Sequence, residues 1–310
     1  MLKSGFNEIA LRVIGAGEIS TITLTSADGK IRSLSGDWRY HISAEIYSQF
    51  DEYVFPYTSF YLYNQENIDL SGRPVSFTSY PKSGAYSSLF NGMINPLIPY
   101  TIKGVIWYQG ESNVSFADAY ATLLPAMIAD WRKKWGSGFS FYFAQIAPYF
   151  NYGGRSGYFR DVQRKSLDEV TKSGMVVTID IAEVYDIHPS NKHDVGYRYA
   201  GLALANDYGK AGISSGPLYQ NHSIQGDTIL VNFENADAGL ELKKHRFSEF
   251  EISGEDTVFL QATVRVVKDA IAVFSPEVNH PKFVRYAWSD TASATLFNKA
   301  GLPASTFISY

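Results

Sequence analysis

Cysteine is absent from the 310 residues. Its absence excludes disulfides, thiolate metal sites and a cysteine nucleophile. It leaves the compartment open, since exported proteins can also lack disulfides. Long apolar runs are missing too: no stretch approaches the ~18–20 residues that span a bilayer. There is no long Lys/Arg run and the net charge is only −4, so no nucleic acid and no membrane is expected as a partner. The start, Met1-Leu2-Lys3-Ser4-Gly5-Phe6-Asn7-Glu8, lacks the apolar segment and cleavage pattern of a signal peptide. It reads as a strand entered in mid-domain, with Ile9, Leu11 and Val13 alternating with Ala10 and Arg12.

Aromatic residues, by contrast, are plentiful: 22 Tyr, 20 Phe and 5 Trp. They favour strands, and core packing accounts for most of them, although flat rings also suit sugars. The length is enough for about two domains with a buried core.

Three stretches differ in pattern. Residues 1–80 are β-rich: Thr21–Thr25 alternates at period two and ends at Ala27-Asp28-Gly29-Lys30, a turn signal, and Leu34–Tyr40 offers another short strand. Residues 50–80 carry aromatics without a period. Over 85–212, three compact apolar runs, Ile102–Tyr108, Phe139–Ile146 and Met175–Ile181, suit strands covered on both faces. Helical patterns follow them. The first starts after Asn113, contains Pro125 as a kink or break, and stops at Gly136. A second spans about 158–170, and a third runs from Ser190 or Asn191 to Gly209. Alternating strands and helices predict a parallel α/β layer. Residues 213–310 are β-rich again, with a hairpin predicted at Lys268-Asp269, and an antiparallel sandwich is expected there.

The chemistry concentrates at two strand ends. Gly104-Val105-Ile106-Trp107-Tyr108-Gln109-Gly110-Glu111-Ser112-Asn113 ends a strand and opens a helix, which is where ligands sit in parallel α/β folds. Gly110 permits a tight turn, and helix N–H groups nearby suit developing negative charge. Ser112 or Asn113 can equally serve only as a helix cap; that leaves Gln109-Gly110-Glu111 unexplained. The second segment, Asp186-Ile187-His188-Pro189-Ser190-Asn191-Lys192, puts a histidine just before a helix with an acid two residues earlier. That pattern suits a general base and its orienting carboxylate. His193, one helical turn on, is its rival among six histidines.

Taken in order, FNGMI (90–94), WYQGESN (107–113), DWR (130–132), DIHPSNK (186–192), VRYAW (284–288) and GLPAS (301–305) resemble the sialate O-acetylesterase family. Its members are serine esterases related to the SGNH hydrolases. The resemblance implies a flavodoxin-like parallel-sheet α/β core, incomplete here at its N-terminal strands, with flanking β-sandwich-like segments. Residues 1–80 would be a remnant of an inserted β domain, 85–212 the core and 213–310 the C-terminal β domain. The family's nucleophile is the serine of a Gly-Gln-Ser-Asn block near its start; that string does not occur in these 310 residues, and no Gly-x-Ser-x-Gly elbow is expected either. His188 corresponds to the family's catalytic histidine. Gln109, Gly110, Glu111, Ser112 and Asn113 fall in the block lining the acetyl site, with Gly110 N–H and an amide of Gln109 or Asn113 as oxyanion donors. Related enzymes place the triad acid three residues before the histidine, where this chain has Tyr185. Asp186, Glu111, Asp180 or Glu183 could substitute, or the site could work as a Ser–His pair.

No metal and no organic cofactor is implied. The implied substrate is an O-acetylated sugar such as O-acetylated sialic acid. A catalytic reading needs an attacking serine from polypeptide beyond this sequence. A second reading is a non-catalytic carbohydrate-binding or assembly subunit, and a third makes Ser112 the nucleophile, paired with His188. Family members are commonly exported. A parallel layer without its first strands exposes an edge, so association as a homo-oligomer, or with the missing segment, is expected.

Overall fold

The computed structural model describes residues 23–25, 31–33, 87, 89–212, 214–236, 238–246 and 248–310. The chain divides into two units, 1–84 and 85–310. In the first, β1 (Thr23–Thr25) and β2 (Ile31–Ser33) pair antiparallel across the predicted turn. The strand expected at 34–40, the N-terminal alternation and the aromatic 50–80 stretch lie outside the described residues.

The second unit begins with the FNGMI segment as a π-helical turn followed by a 3₁₀ turn at Asn95–Leu97. Then β3 (Gly104–Trp107), β4 (Ser140–Ala144) and β5 (Ser173–Val176) form a parallel sheet in the order β3-β4-β5. The helices between and after them are α1 (Ala117–Trp135), α2 (Ser156–Glu169) and α3 (Lys192–Asp207). Residues at odd positions of β4, Phe141 and Phe143, join Tyr120, Leu124, Ile128 and Phe159 of α1 and α2 in one apolar cluster. Tyr142 and Ala144 join Val195, Tyr199 and Leu202 of α3 in another. The sheet is therefore covered on both faces, and every residue of β4 is buried, which accounts for the unbroken apolar run there.

Two boundaries differ from the sequence reading. β5 starts earlier than Met175–Ile181, where Ser173 pairs with Phe141, and it ends earlier where Arg198 grips the chain: its guanidinium donates to the Val177 carbonyl (2.6 Å) and, bidentate, to Asp180 (2.7 and 2.6 Å). α1 runs unbroken through Pro125, and it begins four residues after Asn113, behind a 3₁₀ helix at Glu111–Phe116. Its C-terminus is capped by left-handed Gly136 as predicted. None of the described helices is long and apolar enough to cross a membrane.

The last hundred residues are antiparallel. β6 (Leu218–Gln225), β7 (Thr228–Glu234), β11 (Thr263–Val267) and β12 (Ala270–Phe274) form a sheet ordered β11-β12-β7-β6. The predicted Lys268-Asp269 turn joins β11 to β12, with Val267 opposite Ala270. β9 (Phe250–Ser253), β10 (Leu260–Gln261), β13 (Phe283–Tyr286) and β15 (Phe307–Ile308) form a second sheet ordered β10-β9-β13-β15. β8 (Leu240–Leu242) and β14 (Leu296–Asn298) make a small ribbon. The two four-stranded sheets share a core: Phe307 packs edge-on against Phe233 (5.8 Å) and stacks on Tyr219 (4.7 Å).

The seam between α/β layer and β region is hydrogen-bonded through buried polar side chains. Arg160 of α2 is completely buried. Its guanidinium donates to the carbonyls of Ala287 (2.9 Å) and Ser289 (2.7 Å), to Thr306 (2.9 Å) and to Ser156 (3.0 Å). Gln145, following β4, reaches the Arg160 carbonyl and Ser305. Asp290 accepts from the N–H groups of Gly154 and Ser156 and so caps α2. The VRYAW and GLPAS motifs thus supply the seam that holds α2 in place.

Candidate functional site

In a parallel sheet all carboxyl ends lie on one side, so the segments following β3, β4 and β5 gather there. At the end of β3 the backbone turns sharply at Gly110, whose φ is +151°. A Cβ at this position would sit 2.8 Å from Phe159, 2.9 Å from Ile146 and 3.1 Å from Gln163. Glycine is required both by backbone angle and by space. The floor beneath it is fixed: Gln163 accepts from the Ile146 N–H (2.8 Å) and donates to the Ala144 carbonyl (3.1 Å). Gln163 and Phe159 belong to this turn's architecture, although only the helical spacing of α2 marked them in the sequence.

Neither Ser112 nor Asn113 caps α1; its N-cap is Phe116, with no side-chain bond. Asn113 instead accepts at Oδ1 from Gln109 Nε2 (2.6 Å), and its N–H bonds the Gly110 carbonyl (2.8 Å). This arrangement uses one of the two Gln109 amide N–H groups and leaves the Asn113 Nδ2 amide without a bond among the described residues. Ser112 is exposed and Glu111 half-buried. The Glu111 charge is felt by the tyrosines around it. Burial first, and Glu111 second, push Tyr108 up to about 12. Tyr152 is raised for the same two reasons. Tyr199, bonded to the Trp107 carbonyl (2.7 Å), is raised mainly by burial.

The loop after β5 is braced by its own acids. Asp186 accepts from the His188 backbone N–H (2.8 Å). Glu183 accepts from the Ser190 N–H (2.7 Å) and from its hydroxyl, and these bonds hold the Glu183 carboxyl below its usual range. Asn191 accepts from the Asp194 N–H (3.1 Å) and caps α3. His188 is exposed. Among the described residues its ring has no hydrogen-bond partner. Asp180 is engaged by Arg198, and Glu183 by Ser190. The loop and the β3 turn meet through Lys192, whose ammonium lies 4.8 Å from the centre of the Tyr108 ring. Gln109 and Asn113 are therefore brought together directly; His188 and Asp186 share the same end of the sheet on a neighbouring loop.

Other motif residues have structural work. Trp131 packs edge-on against Trp107 (6.0 Å), and Arg132 donates to the carbonyls of Phe139 (3.0 Å) and Thr171 (2.9 Å). The string Gly212-Ile213-Ser214-Ser215-Gly216 does match Gly-x-Ser-x-Gly. It connects α3 to β6 rather than a strand to a helix, so it lacks the context of a nucleophile elbow. A cavity of about 580 Å³ opens at the amino end of the strands, lined by Lys103, Ser140, Tyr142, Lys172 and Asp207 among others. It faces away from the Gly110 turn, and Asp207 there is already bonded by Ser140 (2.5 Å) and Tyr142 (2.7 Å).

Comparison with known proteins bears on this arrangement. The family profile described as carbohydrate esterase, sialic acid-specific acetylesterase matches residues 73–206. The rat sialate O-acetylesterase (Rattus norvegicus) is 30% identical over 231 residues, covering 66% of this chain and 42% of the relative. The human one (Homo sapiens) is 28% identical over 287 residues, covering 77% and 54%. A crystal structure of a carbohydrate acetylesterase from Xanthomonas citri superimposes with a TM-score of 0.68 at 35% identity, covering 72% of this chain and 54% of that one. The chain spans about half the length of these relatives. The resemblance read from the motifs thus holds along most of the chain: it is similar to sialate O-acetylesterases, with residues 73–206 matching that family's carbohydrate-esterase domain.

Proposed function

We propose that the chain forms the histidine side and the oxyanion side of an esterase that removes acetyl groups from an O-acetylated sugar. One observation carries the reading: a glycine turn that tolerates no side chain is followed three residues on by an asparagine whose side chain Gln109 braces, at the sheet end that also holds the His188 loop. Gly110 N–H and Asn113 Nδ2 are the donors for the oxyanion, with Gln109 fixing the asparagine's orientation. Such a donor contributes about 3–4 kcal/mol to the transition state. His188 takes the proton of an attacking serine hydroxyl as that oxygen bonds the acetyl carbon. It returns the proton to the departing sugar alcohol, then repeats the cycle with water to release acetate. Asp186, held to the His188 backbone, is placed to set the loop, and Glu111 sits among the tyrosines lining the turn. The attacking serine is supplied by polypeptide outside these 310 residues, whose sequence has no Gly-Gln-Ser-Asn block.

The test is acetate release from an aryl acetate and from O-acetylated sialic acid. The chain is assayed alone and together with a polypeptide carrying a Gly-Gln-Ser-Asn block from one of its relatives. Activity that requires the added polypeptide and is lost in His188→Ala supports the proposal. Activity of the chain alone that vanishes in Ser112→Ala assigns the nucleophile to Ser112. Saturable sugar binding without turnover in any combination makes the chain a binding subunit and overturns the esterase reading.

A further inference from the structure

Two aromatic side chains at the His188 loop stand largely in solvent. Tyr185, three residues before His188, is 85% exposed, and Phe150, on the segment following β4, is 50% exposed. Their ring centres are 5.5 Å apart with the planes inclined at 47°. A single exposed aromatic is unremarkable on a protein surface. Here two of them form an open V at the carboxyl end of the sheet, and the backbone beneath is fixed. The Phe150 N–H bonds the Val184 carbonyl (2.9 Å), the Tyr149 N–H bonds the Asp290 carbonyl (2.9 Å), and the Asp186 N–H bonds the Glu183 carbonyl (2.8 Å). Tyr149 packs edge-on against both Phe150 (5.0 Å) and Tyr152 (5.3 Å). The aromatic line therefore runs from Tyr185 through Phe150 and Tyr149 to Tyr152.

We infer that Phe150 and Tyr185 are a sugar-binding platform: a pyranose ring lies against the pair, and its pendant acetyl ester points toward the Gly110 turn. The C–H bonds on one face of a pyranose carry slight positive charge and pack against the negative face of an aromatic ring, while its hydroxyls stay in water. A platform already ordered before binding loses little entropy when the sugar arrives. This inference rests on the sugar-ester reading above, yet it concerns binding and does not need the nucleophile.

The experiment is a titration of the 310-residue chain with unacetylated N-acetylneuraminic acid and with a neutral pyranose, followed by ligand-detected NMR. Tyr185→Ala, Tyr185→Phe and Phe150→Ala are compared with the parent, and their melting temperatures are recorded alongside. The expected result is measurable binding of at least one sugar, weakened roughly tenfold by either alanine variant and kept within about twofold by Tyr185→Phe, at unchanged melting temperature. Unaltered affinity in both alanine variants overturns the platform, and so does the absence of binding to both sugars. Sugar binding that follows this pattern without acetate release under any condition sinks the esterase reading and leaves the platform standing.

Discussion

Replacing Gly110 by alanine strikes the turn on which the proposed chemistry depends, and the structure sets the size of the effect. The new Cβ would meet Phe159 at 2.8 Å, Ile146 at 2.9 Å and Gln163 at 3.1 Å. All three neighbours are buried, and Gln163 is pinned by two backbone bonds, so the clash cannot be relieved by swinging an exposed side chain. Overpacking of this kind costs about 1–3 kcal/mol. The backbone angle of +151° adds a strain of about 1–3 kcal/mol for a residue with a side chain. The two share some relaxation, so the sum is about 2–5 kcal/mol, a fall of roughly 5–15 °C in melting temperature for a unit of this size. Gly196→Ala is the control. That glycine lies in the middle of α3, exposed and with nothing within 4 Å of its added Cβ. It should stabilise by about 0.5–1 kcal/mol through the unfolded state and helix propensity. Thermal unfolding followed by circular dichroism reads both. If Gly110→Ala melts with the parent, the steric argument for this turn fails, and with it the reason for placing an oxyanion donor there.

Further outcomes follow from the same structure. Arg160→Leu takes one donor from each of the Ala287 and Ser289 carbonyls, which keep the Thr306 hydroxyl and the Ala292 N–H, and removes the guanidinium from the Thr306 and Ser156 hydroxyls; a loss of about 1–3 kcal/mol is expected from the urea midpoint. Glu183 has its folded pKa below the ordinary 4.5 because Ser190 donates to it twice. Its contribution to the loop is therefore complete above pH ~4.5 and is lost as pH falls through the lower folded value. In Ser190→Ala, carboxyl NMR titration should show Glu183 moving up toward 4.5. Tyr108, raised to about 12 by burial and then by Glu111, should stay neutral through pH 10 in ultraviolet titration, and Glu111→Gln should bring it part of the way down. Ile106 is 66% exposed on β3, a strand whose only neighbour among the described residues is β4. Self-association through this edge is expected by light scattering, and Ile106→Lys should reduce it.

The α/β layer was legible because its physics is local. β4 reads as an unbroken apolar run since both its faces are covered, and α1 and α3 end where Gly136 and Gly209 adopt positive φ. The Lys268-Asp269 hairpin was legible because two alternating strands converge on a two-residue turn. Less legible were elements whose ends are cut by distant partners. β5 stops short of its apolar run because Arg198, from the following helix, holds Val177 and Asp180. α1 starts late because Asn113 spends its side chain on Gln109 rather than on a cap.

The sequence alone settled the absence of any thiol chemistry, the alternation that builds a parallel sheet, and the two polar segments at strand ends that carry the family resemblance. Those depend on residue type and spacing, which folding does not change. Only the tertiary structure decided that Gly110 rests on Phe159 and Gln163, that the buried Arg160 joins α2 to the C-terminal β strands, and that Phe150 and Tyr185 stand together beside the His188 loop. Each of these joins residues far apart in the chain, and no local pattern records which side chain will fill the space against another until the layers have packed.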